Sequence, residues 1–308
     1  MKVLAVIAGG LGNQIQMTAA VRTLRERLGW DMEILSGGAP VAGDAMREYF
    51  TVPAHRPSWR PMAGEFDGAV ALAFGNMHQV QDKGWNGLPW LNDLTRQTVG
   101  YALSEVDVSM NACRELGVKE RDLIWHGDLN CDETFSECFD VMLANNYYKA
   151  AVDNPNTHWT IKGYPGFKSL ATLIREKYPR LSMCCIGADG REAIEGVTDR
   201  TGIPLGCSLA LIKRARFIVT TDSMAFHAGP CFDTKTFALW TGTSQVKNAC
   251  PKFHASAVIV GRDDLECRKD CQEKSHRWTA CKNWQCQEIG IGHILKHITE
   301  YMEGQAWE

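Results

Sequence analysis

The 308-residue sequence has no apolar run that approaches the length of a membrane span. Its first apolar stretch, residues 1–8, stops at Gly9-Gly10 and is too short for the apolar region of a signal peptide. These two absences predict a cytoplasmic protein without a transmembrane segment.

An excess of positive charge is also missing. Lys and Arg number 33 against 36 Asp and Glu, which gives a formal net charge of -3. Proteins that bind nucleic acid usually carry a strong basic excess, so nucleic acid is not an expected partner, although a local basic patch stays open. The sequence is 45% hydrophobic and 22% charged, which is typical of a globular protein with a sizeable core.

The sequence contains no internal repeat and no dinucleotide-binding fingerprint. The first glycine-rich turn reads Gly9-Gly10-Leu11-Gly12-Asn13-Gln14, without the G-x-G-x-x-G spacing. No acidic residue closes the second strand to bind a ribose. A dehydrogenase is therefore a poor interpretation of this chain.

Strands alternate with helices along most of the chain, which predicts parallel sheets in an α/β fold. The predicted strands are residues 2–8, 32–35, 69–74, 139–144, 181–186, 217–221 and 236–240. The predicted helices are one that ends at Gly29 and residues 167–177, 208–214 and 293–302. The length favours two domains, which we place at residues 1–136 and 137–308.

Residues 76–100 interrupt this alternation. The segment holds Trp85 and Trp90 among several Asn, Asp and Gly residues and shows no clear periodicity. A long irregular segment inside a compact domain is usually a binding loop or a lid. We expect the same of this one.

The strongest chemical signal is the segment Phe217–His227. An apolar strand runs into Thr220-Thr221-Asp222-Ser223, which caps a helix that carries His227. Ligands of parallel sheets bind beyond the carboxyl ends of the strands, where backbone N–H groups meet phosphates. Thr221, Ser223 and the N–H groups of Ser223 and Met224 are therefore candidates for holding a diphosphate. The alternative is a capped helix that simply follows a buried strand.

The segment Asp222–His227 resembles the D-[ST]-G-x-x-H signature of the ADP-heptose–lipopolysaccharide heptosyltransferase family, glycosyltransferase family nine. Other landmarks of that family occur in the same order over roughly residues 139 to 290. They are Lys162-Gly163-Tyr164-Pro165 (K-x-W-P), Ile186-Gly187-Ala188-Asp189 (G-G-x-x-E), Ser208-Leu209-Ala210-Leu211-Ile212 (L-x-E-L-x-x-L-I) and Thr241-Gly242-Thr243-Ser244 (G-P-T-D-P). Met224 departs from the pattern, because the family has glycine there.

The resemblance implies a GT-B fold, in which two Rossmann-like domains have parallel sheets facing across a cleft. The N-terminal domain would take the acceptor and the C-terminal domain a nucleoside diphosphate sugar. The final helix of such chains often crosses back onto the first domain. The donor-site residues implied are Lys162 for the diphosphate, Ser223 and Met224 for its oxygens, Asp222 and His227 for loop orientation, Asp189 or Glu192 for the ribose or base, and Thr221 and Thr243 beside them.

No Asp-x-Asp pair occurs in the chain, so the donor site is not expected to chelate a metal. Helix dipoles and Lys162 would supply the positive charge that a cation supplies elsewhere. The alternative for Lys162 is an ordinary solvated lysine. Family likeness and the missing metal motif together favour inversion at the anomeric carbon.

The first turn, Gly9–Gln14, resembles the G-G-L-G-N-Q loop of α-1,2-fucosyltransferases, which faces the bound donor. That likeness implies contacts of Gly10 and Gly12 with the donor. Family nine instead carries an Asp in this loop as the expected base for the acceptor hydroxyl, and Asn13 occupies the matching position. An amide does not take up a proton at neutral pH.

If Asn13 is not the base, a carboxylate or histidine elsewhere must accept the proton. Asp82 and Asp93 are the preferred candidates, because they share the irregular segment with two tryptophans. The other candidates in the N-terminal half are His78, His126 and Asp128. For each of them a surface polar residue is the alternative.

The sequence holds 12 cysteines, and four of them fall in the loop 267–286: Cys267, Cys271, Cys281 and Cys286. Four thiolates suit tetrahedral zinc, although this spacing is looser than that of common zinc knuckles. Packed reduced thiols and a pair of disulfides are the alternatives, and His276 is a substitute ligand. Cys184, Cys185, Cys207 and Cys231 lie in apolar segments, and we expect them to be small buried hydrophobes.

The function expected from these features is glycosyl transfer from a nucleoside diphosphate sugar to a glycan or other hydroxyl acceptor. Asn13 favours a second interpretation, a nucleotide- or glycan-binding protein without catalysis. The basic residues of the cysteine-rich loop are the one support for a third, a phage-type enzyme that glycosylates a nucleic-acid base.

Overall fold

The computed structural model describes residues 1–37, 46–55, 61–62, 64–72, 88–93, 103–145, 161–188, 193–269, 281 and 284–305. The chain forms two compact units. Unit 1 comprises Met1–Cys131 and Val246–Ala255, and unit 2 comprises Asp132–Gln245 and Ser256–Glu308. The chain therefore enters unit 2 near residue 132 and returns to unit 1 for a short segment after residue 245.

Unit 1 contains a four-stranded sheet in the order β3-β2-β1-β4. Its strands are β1 (Lys2–Ala8), β2 (Asp31–Gly37), β3 (Ala54–His55) and β4 (Gly68–Ala71), and its helices are α1 (Leu11–Leu28) and α2 (Glu105–Glu115). Single 3-10 turns span Arg47–Tyr49 and Glu120–Asp122. Every pairing in this sheet is parallel.

Local sequence explains how the two helices of unit 1 begin and end. Gly29 takes the left-handed conformation with φ 66° that ends many helices, and it closes α1. Ser104 caps α2: its hydroxyl accepts a hydrogen bond from the N–H of Asp107 at 3.1 Å, and Asp107 accepts one from the N–H of Ser104 at 3.3 Å. The capped helix α2 packs against α1.

Unit 2 contains a six-stranded parallel sheet in the order β10-β9-β8-β5-β6-β7. Its strands are β5 (Val141–Ala144), β6 (Met183–Gly187), β7 (Thr198–Thr201), β8 (Phe217–Thr220), β9 (Lys235–Trp240) and β10 (Ala257–Gly261). The helices that follow α2 in the chain are α3 (Phe167–Lys177), α4 (Leu205–Arg214), α5 (Met224–Ala228), α6 (Gln245–Asn248) and α7 (Ile291–Glu303). Single 3-10 turns span Gly229–Phe232, Glu266–Lys269 and Gln285–Gln287.

The final helix α7 belongs to unit 2. Ile294, Ile298 and Met302 recur at four-residue spacing and are buried, so one face of α7 enters the core. The helix contacts α3 and β10. Its Tyr301 ring meets the rings of Phe217 and Phe237 edge to face at centroid distances of 6.0 and 5.9 Å.

The prediction of an α/β fold with two parallel sheets is confirmed. The strands Ala54–His55, Thr198–Thr201 and Ala257–Gly261 were not predicted. Thr198–Thr201 is polar and carries no apolar pattern. The predicted strand 69–74 begins one residue earlier, at Gly68, and residues 73–74 lie outside the described part. The irregular segment is described only at residues 88–93, where Trp90 packs against the small core cluster that includes Leu4 and Val6.

None of the helices in the described part of the chain is both long and apolar enough to cross a membrane.

Candidate functional site

Asp222 lies directly beyond the carboxyl end of β8 and is the centre of a charged cluster in unit 2. Its side chain is only 3% exposed. The Nζ atom of Lys162 lies 3.0 Å from Oδ2, and Nε2 of His227 lies 3.5 Å from Oδ1. Lys162 also lies 3.4 Å from the backbone oxygen of Asp222. The structure thus brings together three of the predicted donor-site residues. Lys162 and Asp222 are 60 positions apart in the sequence.

The charge of Asp222 depends on these neighbours. Burial alone would raise the pKa of its carboxyl group, but the ammonium of Lys162 and the hydrogen bond from His227 hold the pKa well below its usual range. The Thr243 side chain also faces this carboxylate and acts in the same direction. Asp222 is therefore a fixed negative charge that holds a lysine and a histidine in place.

A glycine allows Lys162 to reach this position. Lys162 follows Ile161, and the turn after β9 passes directly over the Ile161 side chain. A Cβ atom at Gly242 would lie 2.5 Å from Cγ1 of Ile161, so no larger residue fits there without movement. The N–H of Gly242 donates to the backbone oxygen of Ile161 at 3.4 Å.

Ser223 and Met224 form the junction between the strand and α5. The hydroxyl of Ser223 lies 2.9 Å from Oγ1 of Thr220, and Thr220 donates to the backbone oxygen of Ala144 at 3.0 Å. Met224 is the first residue of α5 and has no positive φ angle. The helical backbone at position 224 therefore accommodates methionine without strain.

Thr221 and Thr243 are buried beside this junction. Thr221 is completely buried, and its N–H donates to the backbone oxygen of Ala144 at 3.4 Å. Thr243 is 3% exposed, and its backbone oxygen accepts a hydrogen bond from Nε1 of Trp240 at 2.9 Å. Thr221 and Thr243 lie in the loops that follow β8 and β9. Because both are buried, they stabilise these loops and are not on the surface of the site.

In unit 1 the glycine-rich turn follows β1. Gly9 has φ 111°, and a Cβ atom there would lie 2.8 Å from Cβ of Asn13, so the tight turn requires glycine. The N–H of Gly10 donates to Oδ1 of Asn13 at 3.1 Å. Gly12 lies in the first turn of α1, and its backbone oxygen accepts from the side chain of Gln16 at 3.4 Å.

Sequence reasoning missed Glu105, which is the first residue of α2 and only 5% exposed. Its Oε2 atom accepts a hydrogen bond from the side-chain amide of Asn13 and a second one, at 3.2 Å, from the side-chain amide of Gln16. Nζ of Lys247 lies 3.6 Å from Oε1. The capping sequence Ser104–Asp107 signals a helix start here, but nothing local indicates that Glu105 meets a turn 92 residues earlier.

The described base candidates lie apart from Asn13. The N–H of Asp93 donates to Glu115 at the far end of α2, which is about 15 Å along the helix axis from Glu105. His126 contacts Arg22 at 3.1 Å, and Asp128 forms an ion pair with Arg25 at 2.8 Å. These contacts fit structural roles. His78, Asp82, Asp189 and Glu192 lie outside the described residues.

Three of the four cysteines of loop 267–286 are described. Cys267 is exposed, Cys281 is partly buried and Cys286 is buried, whereas Cys271 and His276 lie outside the described residues. Within the described part of the chain, no group of three or more metal-ligating side chains converges. The zinc site stays a prediction.

The prediction of buried apolar thiols is confirmed. Cys184, Cys185, Cys207 and Cys231 are all buried, and no two described cysteines form a disulfide. Burial raises the pKa of the Cys184 thiol to about 12 and also raises the pKa of Cys185. Thiols of this kind are unreactive at neutral pH.

Comparison with known proteins identifies the fold. No protein-family model matches the sequence, and no curated protein matches it. The chain is similar in structure to a glycosyl transferase family 9 protein from Veillonella parvula DSM 2008, with TM-score 0.68 and 14% identity over 99% of this chain and 98% of that one. It is also similar to the ADP-heptose LPS heptosyltransferase II of E. coli, with TM-score 0.61 and 14% identity over 99% and 100% of the two chains.

A third similar structure is the iron-containing dodecameric glycosyltransferase TibC from enterotoxigenic E. coli H10407. Its TM-score is 0.63 and its identity 14%, over 99% of this chain and 77% of that chain. Identities this low establish a shared architecture and no more. The chain therefore has the two-sheet, parallel α/β fold of the family-nine glycosyltransferase structures.

Proposed function

We propose that this chain is a glycosyltransferase that moves a sugar from a nucleoside diphosphate sugar to a hydroxyl acceptor. The observation that carries the proposal is the buried cluster of Asp222, Lys162 and His227 beyond the carboxyl end of β8. That edge of a parallel sheet is where such folds bind ligands. The similar structures include TibC in complex with ADP-D-β-D-heptose and the E. coli heptosyltransferase WaaC with ADP.

In this proposal unit 2 binds the donor. The two contacts with Asp222 hold the ammonium of Lys162 in place, and its positive charge would attract a phosphate oxygen. The Ser223 hydroxyl and the N–H of Met224 would meet the diphosphate at the same junction. Asp189 and Glu192 are proposed for the ribose or the base.

The chemical contribution of this cluster is to stabilise the leaving group. A nucleoside diphosphate departs with two negative charges, and fixed positive charge and N–H donors lower the energy of that state. Asp222 keeps Lys162 in place for this purpose. We propose that transfer is independent of metal, because the sequence has no Asp-x-Asp pair, and that it inverts the anomeric carbon in a single displacement.

Two observations bear on the nucleotide. The fold is shared with enzymes whose structures contain ADP or ADP-heptose, which favours an adenine nucleotide. The turn Gly9–Gln14, with Gly10 and Gly12, resembles a fucosyltransferase loop and favours GDP. The acceptor is proposed only as a hydroxyl group of a glycan or similar molecule.

The test is a thermal-shift screen of the purified chain against ADP, GDP, UDP, CMP and dTDP. A ligand that binds only the folded protein stabilises it by about 2.7 kcal/mol at a concentration of one hundred times its Kd. We expect one diphosphate to raise the Tm clearly. If none of the five changes the Tm, the chain has no nucleotide site and the proposal fails.

Two further measurements sharpen this screen. A nucleotide that binds without any turnover of the matching sugar nucleotide would instead favour the binding protein without catalysis. Repeating the screen with a chelator and no nucleotide tests the cysteine loop, because loss of a structural zinc lowers the Tm. An unchanged Tm would leave packed thiols as the better interpretation of Cys267, Cys271, Cys281 and Cys286.

A further inference from the structure

Only two acidic side chains in the described part of the chain are buried, Asp222 and Glu105. A buried carboxylate is costly unless it has partners, so each of the two needs an explanation. Asp222 holds Lys162 and His227 in unit 2. Glu105 lies in unit 1, and the donor site described above does not use it.

The position of Glu105 is that of a ligand-binding edge. It contacts Asn13, in the glycine-rich turn at the carboxyl end of β1, and Gln16, which follows that turn. Loops at this end of a parallel sheet are the places where substrates bind. The carboxylate of Glu105 is thus presented beside the turn that sequence analysis identified as part of the active region.

Asn13, Gln16 and Lys247 meet Glu105 as two hydrogen-bond donors and a cation. Two side-chain amides bind Oε2, and the ammonium of Lys247 lies 3.6 Å from Oε1. This arrangement suits a carboxylate that accepts hydrogen bonds. The Lys247 distance is longer than a hydrogen bond of about 2.7–3.2 Å, and the lysine side chain is 31% exposed. A hydroxyl group that approaches Oε1 would do so beside the partly exposed side chain of Lys247.

The side chain of Asn13 is held at both ends of its amide group. Its Oδ1 accepts from the N–H of Gly10 at 3.1 Å, and its amide nitrogen donates to Glu105. The group beside Asn13 that can take up a proton is its hydrogen-bond partner, the carboxylate of Glu105.

We propose that Glu105 is the general base that accepts the proton of the acceptor hydroxyl, with Asn13 as its positioning residue. The inference rests on the proposed glycosyl transfer. In the step, the acceptor oxygen bonds to the anomeric carbon of the donor while the bond from that carbon to the diphosphate oxygen breaks. The hydroxyl proton moves to a carboxylate oxygen of Glu105, and the electron pair of the broken bond leaves with the diphosphate.

The experiment compares the turnover of variants in which the carboxylate of Glu105 is removed or is exchanged with the amide of Asn13. Turnover is measured as release of nucleoside diphosphate from the sugar nucleotide whose base gives the largest thermal shift, with water as the acceptor. Glu105→Gln should lower kcat by about 100-fold or more, the contribution typical of a general base. The affinity for the nucleoside diphosphate, measured by calorimetry, should stay within about twofold, because Glu105 is not part of the donor site.

The double variant Asn13→Asp/Glu105→Gln restores a carboxylate and an amide in exchanged positions. We expect its kcat to be at least about tenfold higher than that of Glu105→Gln. Glu115→Gln, at the other end of α2, is the matched control and should behave as the unmodified chain. The Tm of each variant shows whether it is folded.

The outcomes separate two failures. An unmodified chain that releases no diphosphate from any sugar nucleotide overturns both the proposed function and the role of Glu105. An active chain whose Glu105→Gln variant keeps its kcat overturns the role of Glu105 alone. If Glu105→Gln does not fold but the exchanged double variant folds and is inactive, the carboxylate at position 105 is structural and the proposal is wrong.

Discussion

The ammonium of Lys162 lies 3.0 Å from the carboxylate of Asp222, whose side chain is only 3% exposed. The lysine is itself only 18% exposed. A carboxylate this well buried depends on a positively charged partner to stay ionised. The first three predictions follow from that dependence.

Replacing Asp222 with Asn should destabilise the protein by about 3 kcal/mol or more, because it removes the buried carboxylate that pairs with the Lys162 ammonium. Urea unfolding measures the loss. The matched control is Glu195→Gln, which removes the exposed ion pair with Lys168 and should leave the unfolding midpoint unchanged. Equal midpoints for Asp222→Asn and the unmodified chain would show that the pair contributes nothing to stability.

Replacing Lys162 with Met should weaken binding of a nucleoside diphosphate more than binding of the matching monophosphate. The ammonium would act on the added phosphate charge, whereas the methionine keeps most of the apolar stem. Calorimetry with both nucleotides gives the two affinities. Lys168→Met, a change at an exposed lysine of α3, serves as the control. A diphosphate preference that survives in Lys162→Met would remove Lys162 from the phosphate site.

The Lys162–Asp222 pair should also make stability fall in acid. The pKa of Asp222 is lower in the folded chain than the unfolded value of about 3.9, so its stabilisation is complete above that value and is lost as the pH falls below it. Urea midpoints at about pH 6, 4 and 3 measure the loss. The decline should be shallower in Asp222→Asn, which has no carboxyl group at this position. Parallel declines in the two proteins would contradict the assignment.

Gly9→Ala should be more destabilising than Gly117→Ala. Both glycines have a positive φ angle, 111° and 92°, which strains any larger residue by about 1 kcal/mol. Only at Gly9 would the added Cβ meet another side chain, 2.8 Å from Cβ of Asn13, whereas nothing lies within 4 Å at Gly117. Thermal unfolding of the two variants isolates the cost of this clash. Equal losses would mean that Asn13 moves aside without penalty.

The sequence predicted the fold well where the signal is local. Apolar runs identified β1, β5, β6, β8 and β9, and the helix Phe167–Lys177 matches the structure. Polar Thr198–Thr201 escaped prediction because it forms a strand only through its pairing with β6. The segment Val246–Ala255 joins unit 1 through contacts such as Lys247 with Glu105, and those contacts leave no periodic pattern in the sequence.

The sequence by itself determined the alternation of strands and helices, the glycine turn after β1 and the Thr-Asp-Ser junction after β8. These features depend on residues within a few positions of one another, whose backbone preferences and burial are set locally. Only the tertiary structure decided that Lys162 meets Asp222 and that Asn13 meets Glu105. Those contacts join residues 60 and 92 positions apart, and a side chain gains such a partner only when the packing of a whole unit brings the two together.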